Sequence, residues 1–579
     1  MDPRTTAHVL TQIGELLELR GESRFKSRAY EAAARAVLTL QTDDIAPILR
    51  DGSLAELSGI GPATLSVIAE LVETGESQYF DRLRESIPDG LAEMLRIPGL
   101  STAKIHSIHE QLGVSNTEDL EQAARDGRLA ELKGFGPKTV ERLLKGIAQM
   151  RETGGYVLFP HARIEAERLL AAVTSHPGVV RAAIAGSVRR HREIIKDIDI
   201  VAVCSDVPAA VAASFANAPG VADAIGVGSR SVSIRFVDGT LLDLHCVDPD
   251  HFGVALWRAT ASAAHDRAMC DRAAARGFTI ADDELRDASG RVIPTRDELA
   301  LFAALGLPYI EPELREGLGE IEAAERNALP SLVSRADIRG VLHCHTQYSD
   351  GKATIAEMAA AAKARGWSYL GVSDHSQSAF YAGGMSPEKV REQHDEIDRV
   401  NEGLADFRVL KGIEADILAD GRIDYDPELL DRFDYVIGSV HSRFGMDVTT
   451  MTDRVLRAID DPHLTILGHP TGRLLLTRAP YAIDMHAVLE RAAELDVAVE
   501  LNADPHRLDL DWRLCQKAKR LGVSIEIGPD AHSTKNLDYV EIGIGIARKG
   551  WLERGDIFNA LSADEIVARA RRRRGVGVA

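Results

Sequence analysis

The sequence predicts a multidomain α+β and α/β protein: a helical head, a mixed middle region and a C-terminal distorted (β/α)7 barrel. Three observations predict this. From Thr5 to about Met150, apolar residues recur three and four apart, as in Val9 to Leu19 and Leu54 to Leu71, with Gly-containing turns between them. From Tyr156, short apolar runs typical of strands appear (Asp199 to Val203, Val232 to Phe236, Leu241 to Val247), interleaved with helical segments. From Gly340 onward an apolar strand, a polar loop and a helix repeat about seven times, the sequence form of a parallel α/β barrel.

A chain of 579 residues is several times the size of one domain. Its 45% apolar and 27% charged content is that of globular protein. Acidic residues number 88 against 68 basic ones, a formal charge of −20, the wrong sign for coating nucleic acid indiscriminately. Contact with a polyanion is therefore expected to be local, bridged by metal ions, or made by backbone N–H groups. The five cysteines lack a CxxC spacing, which argues against a disulfide framework or a cysteine zinc ribbon and suits a reducing cytoplasm. No basic-then-apolar leader and no run of 18 apolar residues occurs, so neither secretion nor a membrane partner is expected, and the expected location is cytoplasmic.

Within the helical head one turn recurs: Leu57-Ser-Gly59-Ile-Gly61-Pro62, Ile97-Pro-Gly99-Leu-Ser101 and Leu132-Lys-Gly134-Phe-Gly136-Pro137, each opening a helix. Paired glycines permit a tight hairpin between helices, and the second helix then offers free N–H groups to a phosphate without side-chain charge. A single copy is more often an ordinary cap; three copies favour the phosphate reading. They resemble helix-hairpin-helix DNA-backbone motifs, and the third, with Lys133 and Lys138, is best placed for phosphate contact.

In the middle region Gly186-Ser187-Val188-Arg189-Arg190 precedes Lys196-Asp197-Ile198-Asp199. Residues two apart on a strand share a face, so Asp197 and Asp199 converge, and Asp243 on a later strand could complete the set. Three convergent acids repel unless divalent cations neutralise them, the requirement of two-metal phosphoryl transfer. Gly186, Ser187 and Arg190 would then hold phosphates. A bare Asp-x-Asp is more often the wet face of an edge strand; the upstream motif favours catalysis. Together these motifs resemble the palm of the family X DNA polymerases, of nucleotidyltransferase fold. The resemblance implies a thumb after the palm, Mg²⁺ or Mn²⁺ on Asp197, Asp199 and Asp243, and Ser187 and Arg190 on an incoming deoxynucleoside triphosphate. Two departures stand out. Where the family carries a Tyr-Phe-Thr-Gly-Ser-like segment under the sugar, this chain has Arg258-Ala-Thr-Ala-Ser262, so weak discrimination against ribonucleotides is expected. Where lyase-competent relatives carry a Schiff-base lysine, this chain has Val67; Lys26 and Lys104 are other amines, and lyase activity is not carried over.

In the C-terminal half most of the apolar strands end in or near His or carboxylate residues: His343, His345 and Asp350, then His375, Glu414, His441, His469, and Asp530 with His532. Strand ends of a parallel barrel meet at one face, so these groups converge. A His and carboxylate set without Cys suits Mn²⁺, Zn²⁺ or Fe²⁺. Cys344 points to the opposite face and is expected in the core. A lone His at a strand end is usually structural; six in register with three carboxylates are not. The pattern resembles the polymerase and histidinol phosphatase (PHP) domain. That resemblance implies up to three metals: one on His343, His345, Glu414 and Asp530, a second on Glu414, His441 and His469, a third on Asp350, His375 and His532. Arg443 and Lys535 are nearby cations, more simply read as solvated surface.

Both resemblances together imply a bacterial family X DNA polymerase with a C-terminal PHP domain: a monomeric repair enzyme. It would act on gapped or nicked DNA and 3′ ends, joining gap filling to 3′-5′ exonuclease and 3′-end processing. The expected divisions are a helical head at 1–85, a second hairpin region at 86–151, the palm at 152–249, the thumb at 250–310, a linker at 311–335 and the barrel at 336–579. Two alternatives remain open at this point. The altered Arg258 segment could leave the polymerase half as a DNA-end binding module, or the barrel could be a small-molecule phosphatase.

Overall fold

The computed structural model describes residues 3–575 apart from 41, 43, 75–76, 86, 88, 95–96, 98–99, 219, 228 and 237–238. The chain forms two compact units, Met1–Gly154 and Gly155–Ala579. Among the described residues no helix is long and apolar enough to cross a membrane.

The described residues of the first unit form helices and turns without strands, as the three-and-four spacing predicts, and Leu10, Ile13, Leu17, Val37, Ile68, Ile105 and Leu120 fill its core. One building block occurs twice. A left-handed glycine (Gly52, Gly127) starts a 3₁₀ turn (Ser53–Glu56, Arg128–Glu131) that buries one leucine (Leu54, Leu129). The Gly-x-Gly-Pro turn follows and opens a helix, Pro62–Thr74 or Pro137–Thr153. Gly59 and Gly134 have φ of 101° and 96°, a conformation that side chains with a Cβ avoid. The proline that follows costs no hydrogen bond, because the first N–H of a helix has no internal acceptor.

The second unit begins with a five-stranded sheet in the spatial order Val179–Ile184, Ile198–Cys204, Leu241–Val247, Ser231–Phe236 and Val221–Ile225. Its central pair, Ile198–Cys204 and Leu241–Val247, is parallel. Ile200, Ala202, Leu242 and Leu244 face the helix Phe159–Thr174, while Val201, Val203 and Val247 face the helix Phe252–Thr260. The region expected to be the thumb follows, with the helix Ala263–Ala275, a small antiparallel sheet and the helix Glu298–Ala304 packed around Trp257, Met269, Leu301 and Phe302.

Residues 311–335, expected to be a linker, are folded. Pro312–Leu314 is a 3₁₀ turn and Glu320–Glu325 a helix, and Leu314, Ile321 and Ala324 join the thumb core. Three of their charged side chains, Glu313, Arg315 and Glu320, are buried rather than left to solvent. Fully buried Arg315 pairs with Glu298, which also receives Arg189 of the palm at 2.6 Å. Glu320 meets buried His265 at 2.6 Å.

The barrel has seven strand positions. Gly340–Val341, Tyr369–Val372 and Arg408–Lys411 pair in parallel; the chain then runs two residues on to Glu414–Asp416, which heads a second parallel run through Ile437–Ser439, Ile466–Leu467, Ala498–Asn502 and Ile525–Gly528. Parallel bridges His375 to Glu414 and Cys344 to Ala531 join the two runs. Leu342, Tyr369, Leu410, Tyr435, Ile437 and Phe558 form one cluster of its buried core, and Cys344 is buried as expected.

Candidate active sites

The palm site follows from strand register. Asp199 is paired directly with Asp243 across the parallel central strands. Alternation places Asp197 and Asp199 on the face of Val201 and Val203. The Asp199 backbone accepts from the N–H of Ala185 at 2.8 Å, which brings the Gly-Ser turn against the acids. Gly186 has φ of 60°, and a Cβ there would lie 2.5 Å from Cγ of Asp199 and closer still to Oδ2, so only glycine leaves room for that carboxylate. Burial, then the charges of Asp197 and Asp243, push Asp199 up to about 7. Asp197 is raised too, by burial and by Asp243. Ser233 donates to Asp243. Buried Ser187 Oγ has no hydrogen-bond partner. Crowded carboxylates that resist ionisation beside an unpartnered hydroxyl suit divalent cations and a phosphate.

Arg190 lies close enough to favour ionisation of Asp197 and Asp199, but its guanidinium is held elsewhere. Its Nε donates to Glu316 at 3.0 Å and its Nη1 to the carbonyl of Thr260 at 2.6 Å. Lys549 of the barrel helix Tyr539–Lys549 is buried behind it and donates to the Arg190 carbonyl at 3.0 Å and to Glu316. His191, the next residue, packs on Phe159 and against Gly545 of the same helix. Arg258 turns back into the thumb, toward Asp266 at 3.5 Å and the carbonyl of Ile280 at 3.3 Å.

Eight of the nine barrel residues meet at the C-terminal strand ends in three groups: His343, His345 and Asp530; His375, Glu414 and His441; and His345, Asp350, His375 and His532; the ninth, His469, joins them through Glu414. His345 Nε2 is 3.2 Å and His343 Nε2 is 3.6 Å from Asp530 Oδ1. Glu414 is the hub, 3.0 Å from His469, 3.2 Å from His441, 2.9 Å from His375 and 3.5 Å from His343. His532 lies 3.3 Å from Asp350. Ligands at arms of ~2.1 Å around one tetrahedral ion lie about 3.4 Å apart, so these spacings fit metal binding. The unpaired atoms agree with it. His343 Nε2 and both ring nitrogens of His345 are buried without hydrogen-bond partners, a cost that metal coordination would remove. Burial, then neighbouring His375, depresses His345 to about 4 and keeps it neutral. His345 and His375 each stand between two groups, a sharing that linear spacing does not reveal.

Three further side chains serve this site and were not singled out from the sequence. Buried Glu500 accepts from His343 Nδ1 at 2.5 Å and from the His469 N–H, turning His343 Nε2 inward. Asp416 does the same for His441 at 2.7 Å. Arg507 sits 3.4 Å from Asp530 in a largely buried position. Glu500 and Asp416 did carry a signal, being acids inside apolar strands. Arg507 carried none. Arg443 and Lys535 are exposed.

In the first unit the glycines Gly59, Gly61, Gly134 and Gly136 stand at exposed turns, and Lys133 and Lys138 are exposed beside the last of them. Gly99, the third expected contact, lies outside the described residues. Val67 is buried in the core; Lys26 is exposed and pairs with Glu22 at 2.9 Å, and Lys104 lies 5.8 Å from the Phe135 ring centre.

Comparison with known proteins covers most of the chain. Residues 1–77 match the helix-hairpin-helix domain, 91–149 the SAM-like helix-hairpin-helix tandem, 255–316 the DNA polymerase beta thumb and 342–501 the PHP domain. The DNA polymerase/3′-5′ exonuclease PolX of Bacillus subtilis (strain 168) is 34% identical over 571 residues, 98% of this chain and 99% of that protein. A probable phosphatase of Caldanaerobacter subterraneus is 32% identical over 219 residues, 34% of this chain and 78% of its own length. One from Clostridium acetobutylicum is 30% identical over 208 residues, 33% of this chain and 78% of its own.

Proposed function

Since the chain belongs to the family X DNA polymerases that carry a C-terminal PHP domain, we propose that it fills gaps in DNA with its palm and trims 3′ ends with its barrel. The observation that carries this is the coexistence in one chain of paired carboxylates on the palm strands and a histidine and carboxylate cluster in the barrel that could hold metal, with helix-hairpin-helix domains that imply DNA binding. Asp197, Asp199 and Asp243 are the proposed catalytic acids. Mg²⁺ or Mn²⁺ bound there would supply activation of the primer 3′ hydroxyl and a clamp on the triphosphate. The Gly186-Ser187 turn offers N–H and hydroxyl donors to the deoxynucleoside triphosphate, and Arg190 supplies positive charge beside it. Gly59, Gly61, Gly99, Gly134, Gly136 and Lys138 would hold the DNA backbone, which explains how a chain of charge −20 binds a polyanion.

In the barrel, the nine residues would hold Mn²⁺, Zn²⁺ or Fe²⁺, which would supply a water ionised near neutral pH. Glu500 and Asp416 fix the tautomers of His343 and His441, and Arg507 offers its guanidinium to the scissile phosphate. Working as a cytoplasmic monomer, one chain would carry both activities in base excision repair.

The decisive experiment uses a gapped primer with and without nucleotides, in Mn²⁺ and in Mg²⁺. Extension lost in Asp199→Ala alone, and 3′ degradation lost in His343→Ala alone, is the expected result. Extension that survives Asp199→Ala refutes the palm assignment. The Arg258 side chain, turned into the thumb, favours a second reading in which the palm only binds ends; absence of extension in the unaltered protein would establish that reading.

A further inference from the structure

Single large apolar side chains are ordinary on a protein surface; adjacent exposed aromatics beside a candidate site are not. Among the described residues of the barrel, three stand strongly exposed: Phe380 at 86%, Tyr381 at 71% and Val448 at 48%. The first two are consecutive, and Tyr381 stands at the rim of the metal-suited cluster. The Tyr381 ring centre is 6.1 Å from that of His375 and 6.3 Å from that of His441.

The turn that carries them is anchored. Met385 N–H donates to the His375 carbonyl at 2.9 Å, Gly384 N–H to Ala379 at 3.1 Å, and Ser378 N–H to the carboxylate of Asp424 at 2.9 Å. Ala379 and Met385 are fully buried, and Ala382 nearly so. The small residues of the segment are thus packed inward and its two aromatics outward, on a base tied directly to His375. Two adjacent exposed aromatics on an anchored turn, one of them beside the barrel cluster, match the chemistry of a nucleobase, whose flat face stacks on rings whatever its identity.

We propose that Phe380 and Tyr381 form a stacking platform for the terminal bases of a DNA 3′ end, positioning its last phosphodiester at the barrel cluster. This rests on the nuclease reading of the barrel. It also gives that reading a means of recognition: stacking on the terminal bases, indifferent to sequence. A small phosphate monoester without a base gains nothing from the platform, so the pair separates a DNA-trimming barrel from a small-molecule phosphatase on the same ligands.

The test compares two oligonucleotides, one ending in a normal 3′ nucleotide and one ending in an abasic tetrahydrofuran, with the native chain and with Phe380→Ala, Tyr381→Ala, the double variant and Tyr381→Phe. The double variant is expected to lose roughly 5- to 100-fold in kcat/KM on the base-bearing end and less than twofold on the abasic end, with Tyr381→Phe near native. A second readout needs no turnover: 2-aminopurine at a cleavage-resistant phosphorothioate 3′ end should be quenched by the native chain and not by the double variant. Equal loss on both ends, or unchanged quenching in the double variant, overturns the platform. Platform-dependent quenching without any hydrolysis would retain the platform as an end-binding device and refute the nuclease reading instead.

Discussion

Replacing Gly186 with alanine adds one methyl group at the point where the proposed phosphate turn meets the proposed catalytic acids. Two costs follow. The left-handed φ of 60° penalises a residue with a Cβ by about 1–2 kcal/mol. The methyl would also stand 2.5 Å from Cγ of Asp199, against a normal carbon–carbon contact of about 3.5–4.0 Å. The carboxylate must therefore retreat by about 1 Å or the turn must move away. A displacement of that size costs on the order of 100-fold in rate, about 2.7 kcal/mol of barrier. Gly186→Ala is thus expected to slow gap filling about 100-fold or more, to lower palm stability by about 1–2 kcal/mol, and to leave 3′ degradation by the barrel within twofold of native. Single-turnover extension on a one-nucleotide gap, with degradation followed in parallel, reads both. Extension within threefold of native, in a preparation where Asp199→Ala abolishes it, would refute the close confinement of Asp199 by this glycine.

Glu500→Gln keeps the shape of the side chain but removes the charge that orients His343; the expected loss of Mn²⁺ affinity is about 10- to 100-fold, measured by calorimetry with unchanged circular dichroism as the control. His191 is held down to about 4 by burial, from an ordinary 6.5. The folded chain therefore binds fewer protons than the unfolded one between these values. Its contribution is complete above pH 6.5 and is lost as pH falls toward 4, by about 3 kcal/mol. Thermal unfolding between pH 7 and 4.5 should fall less steeply in His191→Gln; parallel profiles would remove His191 from the acid response.

Much of both sites is legible in the sequence because it depends on local rules. Period-two alternation puts Asp197 and Asp199 on one face, and a glycine before the second acid's neighbouring turn is recognisable from its motif. Parallel strands ending in His or carboxylate must converge, so the nine candidate ligands can be named from the strand ends and the loop residues just beyond them. The hairpin turns announce themselves through Gly-x-Gly-Pro, since φ values near 100° exclude most other residues.

Contacts between residues distant in sequence could only be decided by tertiary structure. Residues 311–335 read as a polar connector because each charge, taken alone, belongs in water; in the fold Arg315 meets Glu298 and Glu320 meets His265, so the segment docks on the thumb. Nothing near Lys549 in sequence suggests the palm, yet burial drives its ammonium onto Glu316 and the Arg190 carbonyl. The sharing of His345 and His375 between groups, and the approach of Arg507 to Asp530, depend on loop paths of which spacing is no guide. Residue chemistry and local periodicity determine which groups can act; the packing of segments hundreds of residues apart determines which of them meet.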